Sequence, residues 1–86
     1  MAQSLLEEAN ELFQEGRYQE ASVNFDILVS SGPEYSESPL VLRNLGRCYA
    51  ELQDYEKAIE TLEQAGRLLI QLAAADRPSN EEELAL

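Results

Sequence analysis

A tyrosine, an alanine and a large apolar residue recur as a set in this 86-residue chain, at gaps of three and four positions. The members are Tyr18, Ala21 and Phe25 in the first copy, and Tyr55, Ala58 and Leu62 in the second. Those gaps place each set on one side of an α-helix. A small alanine opposite a large side chain lets two helices approach closely, and the tyrosine fills the corner near their turn. A single hairpin cannot bury such a stripe alone, so the duplication predicts two stacked helix–turn–helix units.

Turn and cap residues divide the chain into four predicted helices, and no segment has the alternating pattern of a strand. The expected ranges are about 5–15, 18–29, 39–52 and 55–75. Ser4 with Glu7 has the pattern of a capping box, and Ser38 before Pro39 is a typical helix start. The polar stretch Ser30–Ser38 is predicted to be a loop between the units. The predicted fold class is therefore all-α, made of tandem helix–turn–helix hairpins with a long last helix.

Domain organisation follows from the same division. One domain is expected over residues 1–76, with units at about 4–33 and 39–70 and a prolonged last helix. Residues 77–86 are expected to form an acidic tail or a short capping helix.

Charge and composition exclude several classes of partner. The formal net charge is −11, with 17 acidic against 6 basic residues. We therefore expect no nucleic-acid partner and no membrane partner, because phosphates and anionic lipids would be repelled. The start "MAQSLLEEAN" lacks the basic region of a signal peptide, and the single cysteine suits a reducing compartment. A cytoplasmic protein is the resulting expectation.

Catalytic patterns are weak throughout the chain. There is no histidine to act as a general base or metal ligand, and Cys48 therefore lacks the usual activating partner. The four glycines are widely separated, so no phosphate-binding loop is indicated. We expect no enzyme activity, no catalytic residue, no cofactor and no metal site.

The second unit resembles the tetratricopeptide repeat family, whose units are helix–turn–helix hairpins. Its matching residues are Leu42, Leu45, Gly46, Tyr49, Tyr55, Ala58, Leu62 and Ala65. The first unit matches at Leu5, Ala9, Leu12, Gly16, Tyr18, Ala21, Phe25 and Pro33. Two positions depart from the pattern: Glu8 stands where the family usually has leucine, and Gln53 replaces the turn glycine that Gly16 supplies in the first unit.

The resemblance implies a protein-binding module whose concave face is lined by the first helix of each unit. The predicted groove residues are Leu6, Asn10 and Phe13 of the first unit and Leu40, Arg43 and Arg47 of the second. Arg43 and Arg47 lie one helical turn apart, so both heads project from one face. Two arginines beside apolar residues suit an amphipathic helix or an acidic–apolar peptide, whereas pairing of Arg47 with Glu51 would leave the face merely solvated.

The last helix is apolar nearly all round near its end. Leu62, Ala65, Leu69 and Leu72 are predicted to face the domain. Leu68, Ile70 and Ala73 then lie off that stripe and form a candidate surface for a second copy or a partner.

The sequence therefore predicts a small cytoplasmic adaptor or co-chaperone that binds a protein or peptide partner and can form a homodimer. Two alternatives remain open. One is a self-associating structural scaffold without a separate ligand, and the other is a secretion-type chaperone that shields an exported subunit.

Overall fold

The computed structural model describes residues 2–75, and these form five helices without a strand. The helices are α1 (Ala2–Gln14), α2 (Tyr18–Ser31), α3 (Pro33–Ser36), α4 (Pro39–Glu51) and α5 (Tyr55–Ala75). The predicted all-α class is confirmed, and the pairs α1–α2 and α4–α5 are the two hairpins. None of these helices has the length and apolar content that crossing a bilayer requires. The predicted tail, residues 77–86, lies outside the described residues.

The segment predicted as a loop between the units contains the short helix α3, so that prediction is wrong. Pro33 opens α3, where its fixed φ suits a helix and its missing N–H costs nothing. The amides of Ser36 and Glu37 donate to the carbonyls of Gly32 and Pro33, each at 3.0 Å. The linker is therefore compact rather than extended.

Of the two helix starts predicted from capping residues, one is confirmed and the other is wrong. The Ser38 hydroxyl accepts a hydrogen bond from the Val41 amide at 3.3 Å, which confirms the cap of α4. The capping box at Ser4 and Glu7 is wrong, because α1 already begins at Ala2 and Ser4 lies in its first turn. Alanine and glutamine are good helix formers, so the helix extends past the predicted start.

The turns of the two hairpins have the same backbone structure. In the first, the amides of Gly16 and Arg17 donate to the carbonyls of Phe13 and Leu12 at 3.1 and 2.9 Å. In the second, the amides of Gln53 and Asp54 donate to the carbonyls of Ala50 and Tyr49 at 3.0 and 2.9 Å. The φ angle is +79° at Gly16 and +68° at Gln53, and glutamine is strained in this left-handed region whereas glycine is not.

The core lies between α1, α2 and α4. Phe25 and Leu28 of α2 and Cys48 of α4 are completely buried. The cluster consists of Ala9, Leu12, Ala21, Phe25, Leu28, Val41, Leu45 and Cys48. Helix α2 therefore has a neighbour on each of two faces, and the alanines at its contacts let those neighbours approach closely.

Among the described helices, α4 is the one extensive neighbour of α5. Ala58 and Ala65 are buried at that contact. A Cβ atom at Gly46 would lie 2.6 Å from the Leu62 Cγ, so glycine is what allows the two helices to come this close. The prediction that Leu69 and Leu72 pack on the domain is wrong, since both are 54% exposed. The reason is length: α5 has 21 residues and α4 only 13, so the end of α5 runs past the start of α4.

Relieving the strain at Gln53 should stabilise the fold. We expect Gln53→Gly to raise the free energy of unfolding by about 0.5–1 kcal/mol, because glycine adopts a positive φ without a Cβ clash. Urea denaturation measures the change. Gln64→Gly in the exposed middle of α5 is the matched control and should lower stability by about 1 kcal/mol. A fall in stability for both variants would contradict the turn geometry.

Candidate partner-binding surface

The predicted groove residues lie on two helices, α1 and α4. On α1, Leu6, Asn10 and Phe13 are all half-buried, and Leu6 and Phe13 pack against the core cluster. On α4, Leu40 is 61% exposed, and Arg43 and Arg47 are also exposed. We call these six residues the inner face.

Phe13 and Arg47 connect the two halves of the inner face. The Arg47 guanidinium carbon lies 6.0 Å from the centroid of the Phe13 ring, at the outer limit of a cation–π contact. The Phe13 ring in turn meets Tyr18 edge-on, with centroids 5.7 Å apart and planes at 79°. The tyrosine of the turn thus holds the ring against which Arg47 lies.

A hollow at the start of α4 brings one more residue to the inner face. The sequence interpretation had assigned this residue, Leu69, to the packed side of α5. The hollow is lined by Pro39, Leu40, Arg43 and Leu69. Leu69 comes from α5 and gives the charged Arg43 an apolar neighbour on its far side. Its membership follows from the antiparallel pairing of α4 with α5, which brings the end of one helix to the start of the other.

The two arginines of the inner face have no carboxylate partner in the part of the chain that the structure describes. Within residues 2–75, ion pairs within 4.0 Å are made by Arg17, with Glu15 at 3.5 Å and Glu20 at 2.6 Å. Arg47 does not pair with Glu51. The alternative in which local pairing leaves this face merely solvated therefore has no ion pair to support it. Two exposed guanidinium groups beside apolar side chains can bind carboxylates of a partner.

A hydrogen bond between side chains joins α4 to α2 at the margin of the core. The Tyr49 hydroxyl of α4 donates to the Asp26 carboxylate of α2, at 2.8 and 2.9 Å from its two oxygens. Burial of the ring and this hydrogen bond both raise the pKa of Tyr49 well above its usual range. The Lys57 ammonium lies 5.5 Å from the centroid of the same ring.

The structure shows an inert environment for the only cysteine. Cys48 is completely buried, and burial raises the pKa of its thiol to about 11, although the charge of Arg47 opposes this. A thiol with so high a pKa is a poor nucleophile at neutral pH. Within residues 2–75, no group of three or more histidine, cysteine, aspartate or glutamate side chains could hold a metal ion.

The second predicted surface, at the end of α5, is only partly as expected. Ile70 is 69% exposed and Ala73 is exposed, but Leu68 is half-buried. Leu68 lies seven residues after the half-buried Thr61, hence on the same edge of the helix, and its predicted position off the packed stripe needs correction. Two further apolar residues of α5 whose exposure the sequence interpretation did not predict are Tyr55 (60%) and Ile59 (57%).

The exposure of Tyr55 has a simple cause. Its counterpart Tyr18 is half-buried against Phe13, but the position that corresponds to Phe13 in the second unit is Ala50. Without the aromatic ring there is nothing for Tyr55 to pack on. The expected structural role in the hairpin corner therefore holds for Tyr18 and not for Tyr55.

Comparison with known proteins identifies the repeat. A family model described as tetratricopeptide repeat matches residues 12–69, which is more than half of the chain. No curated protein and no solved structure matches the chain.

Removing the Tyr49 hydroxyl should loosen α4 on α2. We expect Tyr49→Phe to lower the free energy of unfolding by about 0.5–1 kcal/mol, since the bond is at the surface. Because the folded-state pKa is raised, the wild type should also lose stability as the pH rises above about 10, where the unfolded tyrosine ionises, and the variant should lack this component. Denaturation at pH 7 and at pH 10–11 measures both.

Tyr18→Phe is the matched control, because the Tyr18 hydroxyl makes no hydrogen bond to the described residues. It should leave stability at pH 7 within about 0.5 kcal/mol of the wild type. Equal losses in the two variants would mean that the Tyr49–Asp26 bond does not hold α4.

Proposed function

Because the chain belongs to the tetratricopeptide repeat family, we propose that it holds a helix or peptide of a partner protein on the inner face formed by α1 and α4. Repeats of this family build protein–protein interaction modules and are typically not catalytic. The observation that carries the proposal is the pair Arg43 and Arg47, exposed beside apolar side chains and without a carboxylate partner within residues 2–75.

The chemistry of the inner face favours a ligand that is both acidic and apolar. Leu40 is largely exposed, and Leu6 and Phe13 offer further apolar contact. The arginines are two of only six basic residues in a chain of net charge −11. A ligand with carboxylates on one side of an apolar stripe would therefore be attracted to this face and repelled by most of the remaining surface.

The cellular role that fits such a face is that of an adaptor or co-chaperone. A two-unit array presents a short inner face, which suits one helix or a peptide of a few turns. The buried single thiol is compatible with a reducing cytoplasm, the compartment in which we place the protein.

Reversal of the two arginines tests the proposal. Arg43→Glu with Arg47→Glu should weaken binding of the native partner at least tenfold and remove most of the salt dependence of its affinity. The partner is first captured from the native cell on immobilised wild-type protein. Its affinity for each variant is then measured by titration calorimetry at two salt concentrations, and circular dichroism checks that helicity is retained.

The matched control changes the same amount of charge elsewhere. Arg67→Glu with Gln64→Glu and Gln71→Glu makes the same change of four charges at three exposed residues of α5 outside the inner face. It should change affinity less than threefold. An equal loss of affinity in the Arg43/Arg47 variant and in this control would show that only the net charge matters, and unchanged affinity in the Arg43/Arg47 variant would refute the proposal.

A further inference from the structure

Helix α4 covers one surface of α2, and the corresponding surface of α5 is exposed. Residues 37 positions apart correspond in the two units, as Tyr18 and Tyr55 do. On α2, Ser22 is 5% exposed and Phe25 is fully buried; their counterparts on α5, Ile59 and Leu62, are 57% and 37% exposed. A helix seated on α5 as α4 is seated on α2 would bury them.

The open surface runs the whole length of α5. Its members are Tyr55, Ile59, Leu62, Gly66, Leu69 and Ala73, which we call the α5 stripe. They follow one another at gaps of four and three residues, the spacing by which one helix packs along another in a coiled coil. Tyr55, Ile59 and Leu69 are each more than half exposed.

Gly66 stands in the middle of the stripe, and nothing within the described chain requires a glycine there. A Cβ atom at Gly66 would meet no atom within 4 Å, whereas one at Gly46 would collide with Leu62. Glycine inside a helix is less favourable than alanine. Its absence of a side chain leaves a notch on the exposed side of α5.

We propose that the α5 stripe is the contact of a two-fold symmetric homodimer in which two α5 helices pack antiparallel. An antiparallel register centred on the middle of the stripe places each large side chain against a small or matching one. The pairs across the axis are Tyr55 with Ala73, Ile59 with Leu69, and Leu62 with Gly66. Leu62 already packs on Gly46 of α4, and the 37% of it that stays exposed then faces the notch left by Gly66 of the other copy.

A second copy cannot instead extend the array from end to end. The core side chains by which α4 packs in the cluster are Val41, Leu45 and Cys48. Their counterparts on α1 are Ser4, Glu8 and Glu11, all exposed. Seating α1 of one copy on α5 of another would bury two unpaired carboxylates. Glu8, which departs from the family pattern, thus disfavours the stacking of copies end to end. The remaining arrangement is two-fold symmetric, and two copies complete it.

The C-terminal residues are a poor alternative occupant by composition. Residues 76–86 include Asp76, Glu81, Glu82 and Glu83, and apolar side chains are confined to Pro78 and the last three positions. That pattern does not match a stripe of six positions spread over 19 residues of α5, from Tyr55 to Ala73.

Size and charge set the strength of the dimer. A two-fold contact along this stripe buries on the order of 1,000 Å² in total, the lower end for specific interfaces. Each copy carries a net charge of −11, and Glu63 flanks the stripe near the proposed axis, where it meets its own symmetry mate. The dimer is therefore weak at low salt and strengthens as salt screens the repulsion.

Sedimentation equilibrium of the full chain, from micromolar to millimolar concentration at low and moderate salt, tests the dimer. Wild type should show a monomer–dimer equilibrium that tightens with salt. Ile59→Glu should raise the dimer dissociation constant at least tenfold, and Gly66→Leu, which fills the notch, should do the same. Ile27→Glu is the matched control: Ile27 is 49% exposed on α2, away from the stripe, and its variant should dimerise as wild type does.

Disulfide trapping tests the register. Two differently tagged chains, one with Leu62→Cys and one with Gly66→Cys, are mixed and oxidised, each with Cys48→Ala to remove the native thiol. The antiparallel register brings these positions together, so mixed disulfides should dominate. Predominant linkage of Leu62→Cys chains to each other would indicate parallel helices and overturn the register.

No outcome involves the partner of the inner face, so this test can fail while the proposed function stands. A wild type that remains monomeric at millimolar concentration and moderate salt overturns the proposal, and assigns the α5 stripe to residues 76–86 or to a helix of another protein. Equal weakening of dimerisation by Ile27→Glu and Ile59→Glu would place the contact elsewhere and overturn it as well.

Discussion

The burial of α2 between α1 and α4 is the contact on which the rest of the structure depends. Ala21, Phe25 and Leu28 lie on that helix without any exposed surface. The alanine allows close approach, the phenylalanine and leucine fill the space between the helices, and Tyr49 bonds to Asp26 at the margin. Since α4 is held there, its other faces are fixed too: one receives α5 across Gly46, and another presents Arg43 and Arg47 beside α1.

The two copies of the hairpin present different surfaces because a few positions differ between them. Glu8 and Glu11 make the outer side of the first unit acidic, where Leu45 and Cys48 make the corresponding side of the second apolar and buried. Ile59 and the exposed part of Leu62 leave an apolar stripe on α5 that α4 covers only along one edge. Within residues 2–75 the outer side of α1 is therefore acidic, whereas the corresponding side of α5 is apolar and partly exposed.

Four of the five described helices and the repeat could be predicted from the sequence, because cap residues and stripe spacing are local signals, whereas the short α3 was missed. Ser38 and Pro39 mark the start of α4, and Gln53 stands at the turn position that Gly16 fills in the first unit, where the structure has a positive φ. Exposure was harder to predict, since it depends on what lies opposite. Tyr55 carries the same pattern as Tyr18, but Ala50 takes the place of Phe13 in its unit; Leu69 lies in an open hollow at the start of α4, and Leu72 lies further along α5. Pattern alone places a residue on a face; the lengths of neighbouring helices decide whether that face is covered.

Helix α2 buries a face whose counterpart on α5 is uncovered. This claim can be tested at one pair of corresponding positions, 22 and 59. Ser22→Cys and Ile59→Cys, each with Cys48→Ala, are labelled with a thiol reagent at low micromolar concentration, where association is negligible. We expect the thiol at position 59 to react at nearly the rate of the unfolded chain. The thiol at position 22 should react orders of magnitude more slowly, as unfolding permits. Similar slow rates at the two positions would contradict the account, because α5 would then be covered as α2 is.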